Sequence, residues 1–331
     1  MIATSSIDLV DRQFVDRALT LLVVGGIIQS ELMLELIMNR LPIEKRLQIV
    51  SLLVEGMSMR AVSRVADVSI NTVTKLLADV GVACSAYMDA AMRDLTITDV
   101  QADEIWAFIG AKQKNVPADS DPTLGLGDCY TFTAIDRTTK LMPCYMLGYR
   151  TAECAEQFMA DLASRLANRV QLTTDGMNSY PAAVAKAFGI EVDYAVLNKS
   201  YEGGLPQVEA KRRYSPAVCV GATKNVVCGD PDFKNISTSH VERANLTMRM
   251  GMRRFTRLTN GFSKKIEMHM HAVSLHFMHY NFARIHKTLK VTPAMEAGIA
   301  AHVWSIEEIV RLVPELEGKK RGPYRARTPQ L

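Results

Sequence analysis

Three acidic residues stand where side chains of their type could do chemistry. Asp103 opens Asp-Glu-Ile-Trp-Ala-Phe-Ile, Asp175 closes Val-Gln-Leu-Thr-Thr-Asp, and Glu242 lies within Ser-His-Val-Glu-Arg-Ala-Asn-Leu. The first two adjoin stretches of strand character and the third a helical one. Carboxylates delivered from three elements can converge on two divalent ions ~4 Å apart, the apparatus of in-line displacement at phosphorus. Hard oxygen ligands suit Mg²⁺ (or Mn²⁺) and leave positions for water and phosphate oxygens. Each residue also has an ordinary role open to it: Asp175-Gly176 is a turn signal, Asp103 a solvated strand residue, and Ser239-x-x-Glu242 a capping box. Glu104 and Asp136 could approach the same place, and rank below the three.

Cations follow the last carboxylate closely. Arg243, Arg249, Arg253, Arg254 and Arg257, with Asn245, Lys264 and Lys265, could contact phosphates beside such a site. Net charge is only +4, yet His240 to Leu331 carries sixteen Lys/Arg against seven Asp/Glu. That asymmetry favours a polyanionic partner over an acidic small molecule.

Elements must exist to hold these groups in place. From Ile43 to Glu55 apolar residues recur at the spacing of one helical face. Ser58 can cap a second helix ending near Ala66, and Ser69 a third through Ile70, Val73, Leu76 and Leu77. Three helices with a tight turn at Asp67-Val68 make a helix-turn-helix, with Ser69, Asn71, Thr72, Thr74 and Lys75 on or near the exposed side of the last helix as DNA contacts. Asp67 stands where glycine is usual. Strands follow at 100–111, 129–136 and 140–149, then a helix at 153–167, a strand at 170–174, a helix at 180–188 and a strand at 192–197. This order predicts an α/β fold with a mixed sheet covered by helices.

The expected organisation is an N-terminal extension at 1–40, helix-compatible in its spacing, then a helix-turn-helix domain at 41–82 and a linker helix at 83–98. A catalytic domain at 99–290 would carry an insertion at 199–237, and a helix and basic tail would complete the chain at 291–331. A length of 331 residues suits more than one domain, since single cores stop growing near ~250 residues. The six cysteines form no Cys-x-x-Cys pair and no secretory leader precedes them, which reads as cytosolic. The apolar run Leu19 to Ile28 is about half the ~20 residues needed to span a bilayer, so no membrane association is expected. His269, His276 and His279 share a helical face, but with Met and Phe beside them and no Cys they read as packing rather than zinc ligands.

Taken together, several ordered segments resemble a known family. They are Leu41-Pro42-Ile-Glu-Lys-Arg, Val68-Ser69-Ile-Asn-Thr-Val-Thr-Lys, Asp103-Glu104-Ile-Trp-Ala-Phe, Thr174-Asp175-Gly176 and Val241-Glu242-Arg243-Ala244-Asn245-Leu246. Phe262-Ser263-Lys264-Lys265 and Tyr280-Asn281-Phe282-Ala283-Arg284-Ile285-His286 continue the likeness. The chain resembles the insertion-sequence-one class of bacterial transposases, over about Leu41 to Glu308. The resemblance implies a ribonuclease H-like catalytic domain behind the helix-turn-helix, with Asp103, Asp175 and Glu242 as a metal-binding catalytic triad holding two ions. It also implies binding to the element's terminal inverted repeats, 3′-end cleavage, strand transfer into target DNA, and a homo-oligomer in the cytoplasm, associated with the nucleoid. The zinc-finger segment of better-known members is absent, and Asp67 and Ala244 depart from the residues usual at their positions. The same residues also admit a non-catalytic helix-turn-helix regulator or a domesticated, inactive transposase.

Overall fold

Pro42 precedes the first helix, where a missing N–H costs nothing, and its carbonyl accepts from Arg46 N–H at 3.1 Å. The computed structural model describes residues 41–201, 219–256 and 259–314. The expected N-terminal extension, the basic tail, Arg257 and the middle of the 199–237 insertion lie outside the described residues. Helix α1 spans Ile43–Val54, α2 Met59–Ala66 and α3 Ile70–Ala91. The Ser58 hydroxyl accepts from Ala61 N–H and that of Ser69 from Asn71 N–H, so both predicted caps form.

The turn between α2 and α3 does need positive φ, and Asp67 supplies it at 51°. Asp tolerates this region better than most residues. The small Ser63 lets the chain close: its hydroxyl donates to the Val68 carbonyl at 2.6 Å, while its own carbonyl accepts from Val68 N–H. The separate linking helix expected at 83–98 does not form. Residues 70 to 91 are one helix of 22 residues, because Val73, Leu77, Val80, Cys84 and Met88 bury one continuous face.

Among the described residues the sheet has six strands in the order β3-β2-β1-β4-β5-β6. They are β1 Asp99–Ile109, β2 Gly127–Asp136, β3 Tyr145–Gly148, β4 Val170–Thr174, β5 Val192–Tyr201 and β6 Cys219–Cys228. β1 pairs antiparallel with β2 and parallel with β4, β4 pairs parallel with β5, and β5 antiparallel with β6. The parallel crossovers carry α4 Ala152–Ser164 and α5 Tyr180–Phe188, as parallel pairing requires. β3 is shorter than the predicted 140–149 because Asp136 folds back on Thr139, and Lys140 sits at φ 62° before the strand can begin. The sequence pattern ends the fifth strand at residue 197, ahead of the insertion at 199–237. Instead β5 continues to Tyr201 and β6 pairs along it, exposed on nearly every residue.

The chain from residue 239 onward is less helical than its pattern suggested. Helix α6 spans Ser239–Gly251, α7 Ile266–Met278, α8 Pro293–Glu296 and α9 Ile306–Arg311, with a π-helical turn at His279–Ala283. α7 lies against α3, closely enough that a Cβ on Gly81 would fall 2.5 Å from the His271 Cβ. Tyr87 of α3 packs on Phe282 and Trp304, at 5.4 and 4.8 Å between ring centroids. Buried Asn281 accepts from Met142 N–H and donates to the Met142 carbonyl, tying this layer to the sheet. The hydrophobic core therefore runs without a break from α1 to α9, the three N-terminal helices included.

Candidate metal centre

β1 and β4 are in register with Ala102 beside Thr174, which sets Asp103 level with Asp175, the first residue after β4. At that point β4 ends and β1 runs on. Successive strand residues face opposite sides of a sheet, so Asp103 and Glu104 should diverge. Asp103 does turn toward α6, where Asn245 Nδ2 donates to it at 2.9 Å. Glu104 turns toward Arg150 on the other side. Because the neighbouring strand has stopped, both can reach round its end: one oxygen each of Asp103, Glu104 and Asp175 lies within 4.8 Å of the other two.

These three form the metal-competent cluster among the described residues. Their environment opposes ionisation. Burial, then the charge of Asp175, pushes the Asp103 carboxyl up to about 6 and that of Glu104 up to about 7. Burial raises Asp175 as well. Crowded, partly desolvated carboxylates are what a divalent cation relieves, and an all-oxygen donor set suits a hard ion. Arg150 spans the site with Nε 3.5 Å from Glu104 and Nη2 3.7 Å from Asp175, while its own side chain is 47 % exposed.

Glu242 stands in the first turn of α6, beside the cluster rather than inside it. Its carboxylate accepts from the Thr238 hydroxyl at 2.6 Å and pairs with Lys199 of β5. The Ser239-x-x-Glu242 capping box is not formed; Thr238 is the N-cap residue. The charge of Glu242 nonetheless reaches both Asp103 and Asp175. α6 is seated by Gln101, whose side-chain carbonyl accepts from the N–H groups of His240 and Val241. The turn expected at Asp175 exists too, its carboxylate accepting from Met177 N–H.

The other predicted contacts divide by exposure. Ser69, Asn71, Lys75, Arg243, Arg253, Lys264 and Lys265 are exposed, and Thr72 and Thr74 are half-buried, the Thr74 hydroxyl bonding back to the Ile70 carbonyl. Arg249 is half-buried. Asn245 is buried at 4 % exposure, its amide shared between Asp103 and Thr133, so it orients a carboxylate instead of facing solvent. Arg254 is likewise turned inward, donating to Ser263 and Met59, and burial lowers its pKa to about 10. Asp136 lies at the opposite end of β1, engaged with Asp99 N–H and Thr139.

His269 and His276 are desolvated, which lowers both to about 3, and His269 is hydrogen-bonded to Ser263. They pack, as expected. Sequence reasoning missed Arg150, Lys199 and the role of Asn245. Lys199 follows the apolar run Tyr194–Leu197 at the polar end of β5, which gave no clear signal of its role; Arg150 had none either, since only the end of β3 brings it across the sheet.

No family model matches the chain, and no curated protein matches it. Among solved structures it is similar to one described as a cryo-EM structure of the piggyBac transposase synaptic complex with hairpin DNA. The identity is 13 %, the TM-score 0.37, and the match covers 89 % of this chain and 75 % of that one. A crystal structure of the Mos1 strand transfer complex is also similar, at 13 % identity and a TM-score of 0.21, covering 72 % of this chain and 77 % of that one. At such TM-scores neither likeness bears on what the residues do.

The raised carboxyls make stability depend on pH and cations. Between about pH 4, where unfolded Asp and Glu ionise, and about pH 7, where folded Glu104 does, the folded state holds more protons than the unfolded one. Stability contributed by these groups is present below about pH 4 and falls as pH rises through that window. A divalent cation binds only the ionised form. Added Mg²⁺ or Mn²⁺ is therefore expected to raise the thermal midpoint clearly near pH 8 and little near pH 5, and Asp103→Asn to remove most of that response. Equal cation effects at both pH values would contradict the assignment of these carboxyls.

Proposed function

We propose that the protein is a DNA transposase of the insertion-sequence-one kind, which binds the terminal inverted repeats of its element, cleaves at the 3′ ends and joins them to target DNA. The observation that carries this reading is the convergence of Asp103, Glu104 and Asp175 around the end of β4, with Glu242 at the start of α6 beside them. An Asp on the first strand, an Asp after the fourth and a Glu entering a late helix is the ribonuclease H-like arrangement the sequence suggested.

Asp103 and Asp175, with Glu104 or Glu242, would hold two Mg²⁺ ions. Bound there, the ions would activate the attacking oxygen and stabilise the leaving one. Asn245 keeps the Asp103 carboxylate turned toward the site. Arg150 and Lys199, each now on a carboxylate, would be available to meet phosphate oxygens if bound cations neutralised those carboxylates. Cleavage and joining are both in-line displacements at phosphorus, so one site can perform them in succession. The helix-turn-helix, through Asn71 and Lys75, supplies recognition of the ends, and pairing of two ends calls for a homo-oligomer.

The test is direct. The full chain, Mg²⁺ and a labelled duplex bearing the inverted repeat that flanks the coding region should give a nick at the element's 3′ boundary, followed by joined products with a plasmid target. A chain that binds the repeat but never cuts it, in Mg²⁺ or Mn²⁺, would be a DNA-binding regulator. Cleavage without joining would make it a nuclease.

A further inference from the structure

A groove of about 780 Å³ separates the helix-turn-helix from the end of α6 and the start of α7. One wall is the α1–α2 turn with the N-terminal turn of α3, including Arg60 and Thr74; the other is the segment carrying Arg253, Lys264 and Lys265. Those four cations are exposed. No carboxylate lines the groove among the described residues; Glu55 and Glu267 are only neighbours in sequence to its rim. Like charges gathered on facing walls repel one another unless an anion lies between them.

The walls are held at a set distance. The Arg254 guanidinium donates to Ser263 on one side and to the Met59 sulfur on the other, at 2.8 and 3.3 Å. At one end the backbones meet, since a Cβ on Gly56 would fall 2.5 Å from the Gly251 carbonyl oxygen. α6 links this groove to the acidic cluster: Glu242 is in its first turn and Gly251 is its last residue. At ~1.5 Å of rise per residue the two lie ~14 Å apart along the helix. Arg243, Leu246 and Met250 are exposed on α6 between them.

We infer that this groove seats the sugar-phosphate backbone of a DNA strand and leads it along α6 to the acidic cluster of the same chain. Arg60, Lys264 and Lys265 neutralise its phosphates, and the apolar floor, which includes Met268, takes the sugars. This rests on the DNA-processing reading above. It adds Arg60 to the DNA contacts. It also makes the helix-turn-helix and the catalytic centre two ends of one track.

The experiment uses a fluorescein-labelled random-sequence duplex of about 30 base pairs, so that phosphate contacts dominate. Fluorescence anisotropy is followed over a KCl titration for the full wild-type chain and for the triple variant Arg60→Ala, Lys264→Ala, Lys265→Ala, with thermal unfolding to verify that the variant folds. The variant is expected to lose about 2 to 3 units from the slope of log K against log[salt], and roughly tenfold or more in affinity near ~0.1 M salt. Wild-type binding with an unchanged slope in a folded variant would overturn the groove and leave the DNA reading standing. Wild type that fails to bind the duplex at low salt would overturn both. If light scattering showed a wild-type dimer and a monomeric variant with the same slope, the groove would be a seat for a second copy of the chain, and the inference would fall. Should the triple variant not fold, Arg60→Ala alone is expected to lower the slope by about one unit, and an unchanged slope there would equally overturn the groove.

Discussion

Asp103→Ala and Asp175→Ala are each expected to lower Mg²⁺-dependent cleavage of an element-end duplex by roughly 10³-fold or more, since each removes charge stabilisation at the reacting phosphorus. Binding of the same duplex should stay within about twofold, because the residues proposed to contact DNA on α3 share no hydrogen-bond partner with the cluster among the described residues. Glu104 and Glu242 compete for the third position, and Glu→Gln at each separates them. The true ligand is expected to behave like Asp103→Ala, and the other residue to lose far less. Asn245→Ala should cost about 10–100-fold, the usual effect of freeing a ligand from its orienting partner. Cleavage at the wild-type rate by Asp103→Ala would end the assignment of the cluster as the catalytic centre.

Gly81→Val should damage the whole molecule rather than α1–α3 alone. An added Cβ at Gly81 would fall 2.5 Å from the His271 Cβ, 2.6 Å from its Cα and 2.9 Å from its carbonyl oxygen, so backbone must yield. Overpacking of this kind costs about 1–3 kcal/mol, or roughly 2–4 °C of thermal midpoint per kcal/mol in a chain of 150 residues or more. End binding and cleavage should decline together, since α3 carries the residues proposed to contact the ends and α7 leans on it. Val82→Ala, at a position 46 % exposed, is the control and should stay within about 0.5 kcal/mol. Normal melting of Gly81→Val would mean that α3 and α7 are not packed as described.

Local physics made most of the elements legible. Ser58, Asp67 and Ser69 marked the boundaries of α2 and α3, because caps and positive-φ turns act within a few residues. The run Val170–Thr174 was readable as a buried strand by its length and branched side chains. What escaped was non-local. β6 carries no apolar alternation and is exposed on nearly all residues, so only its pairing with β5 makes it a strand. The helical spacing of Val73, Leu77, Val80, Cys84 and Met88 runs through residue 82, and the packing of that face on α7 keeps α3 one helix.

The acidic site divides in the same way. The sequence alone suggested that Asp103 and Asp175 belong together, as an Asp on a first strand and one after a fourth, and the pairing of β1 with β4 is what sets them level. The sequence also set the cations that follow Glu242, because composition is local. Only the tertiary structure decided that Glu104 joins Asp103, by ending β4 one residue before Asp175 and leaving the edge of β1 open. Only packing decided that Asn245 and Arg254 turn inward, that Lys199 holds Glu242 aside, and that Arg60 faces Lys264 across a groove. Propensity and capping act within about one helical turn or strand pair, whereas the direction of a side chain and its charge partners depend on which distant surfaces the fold brings against it.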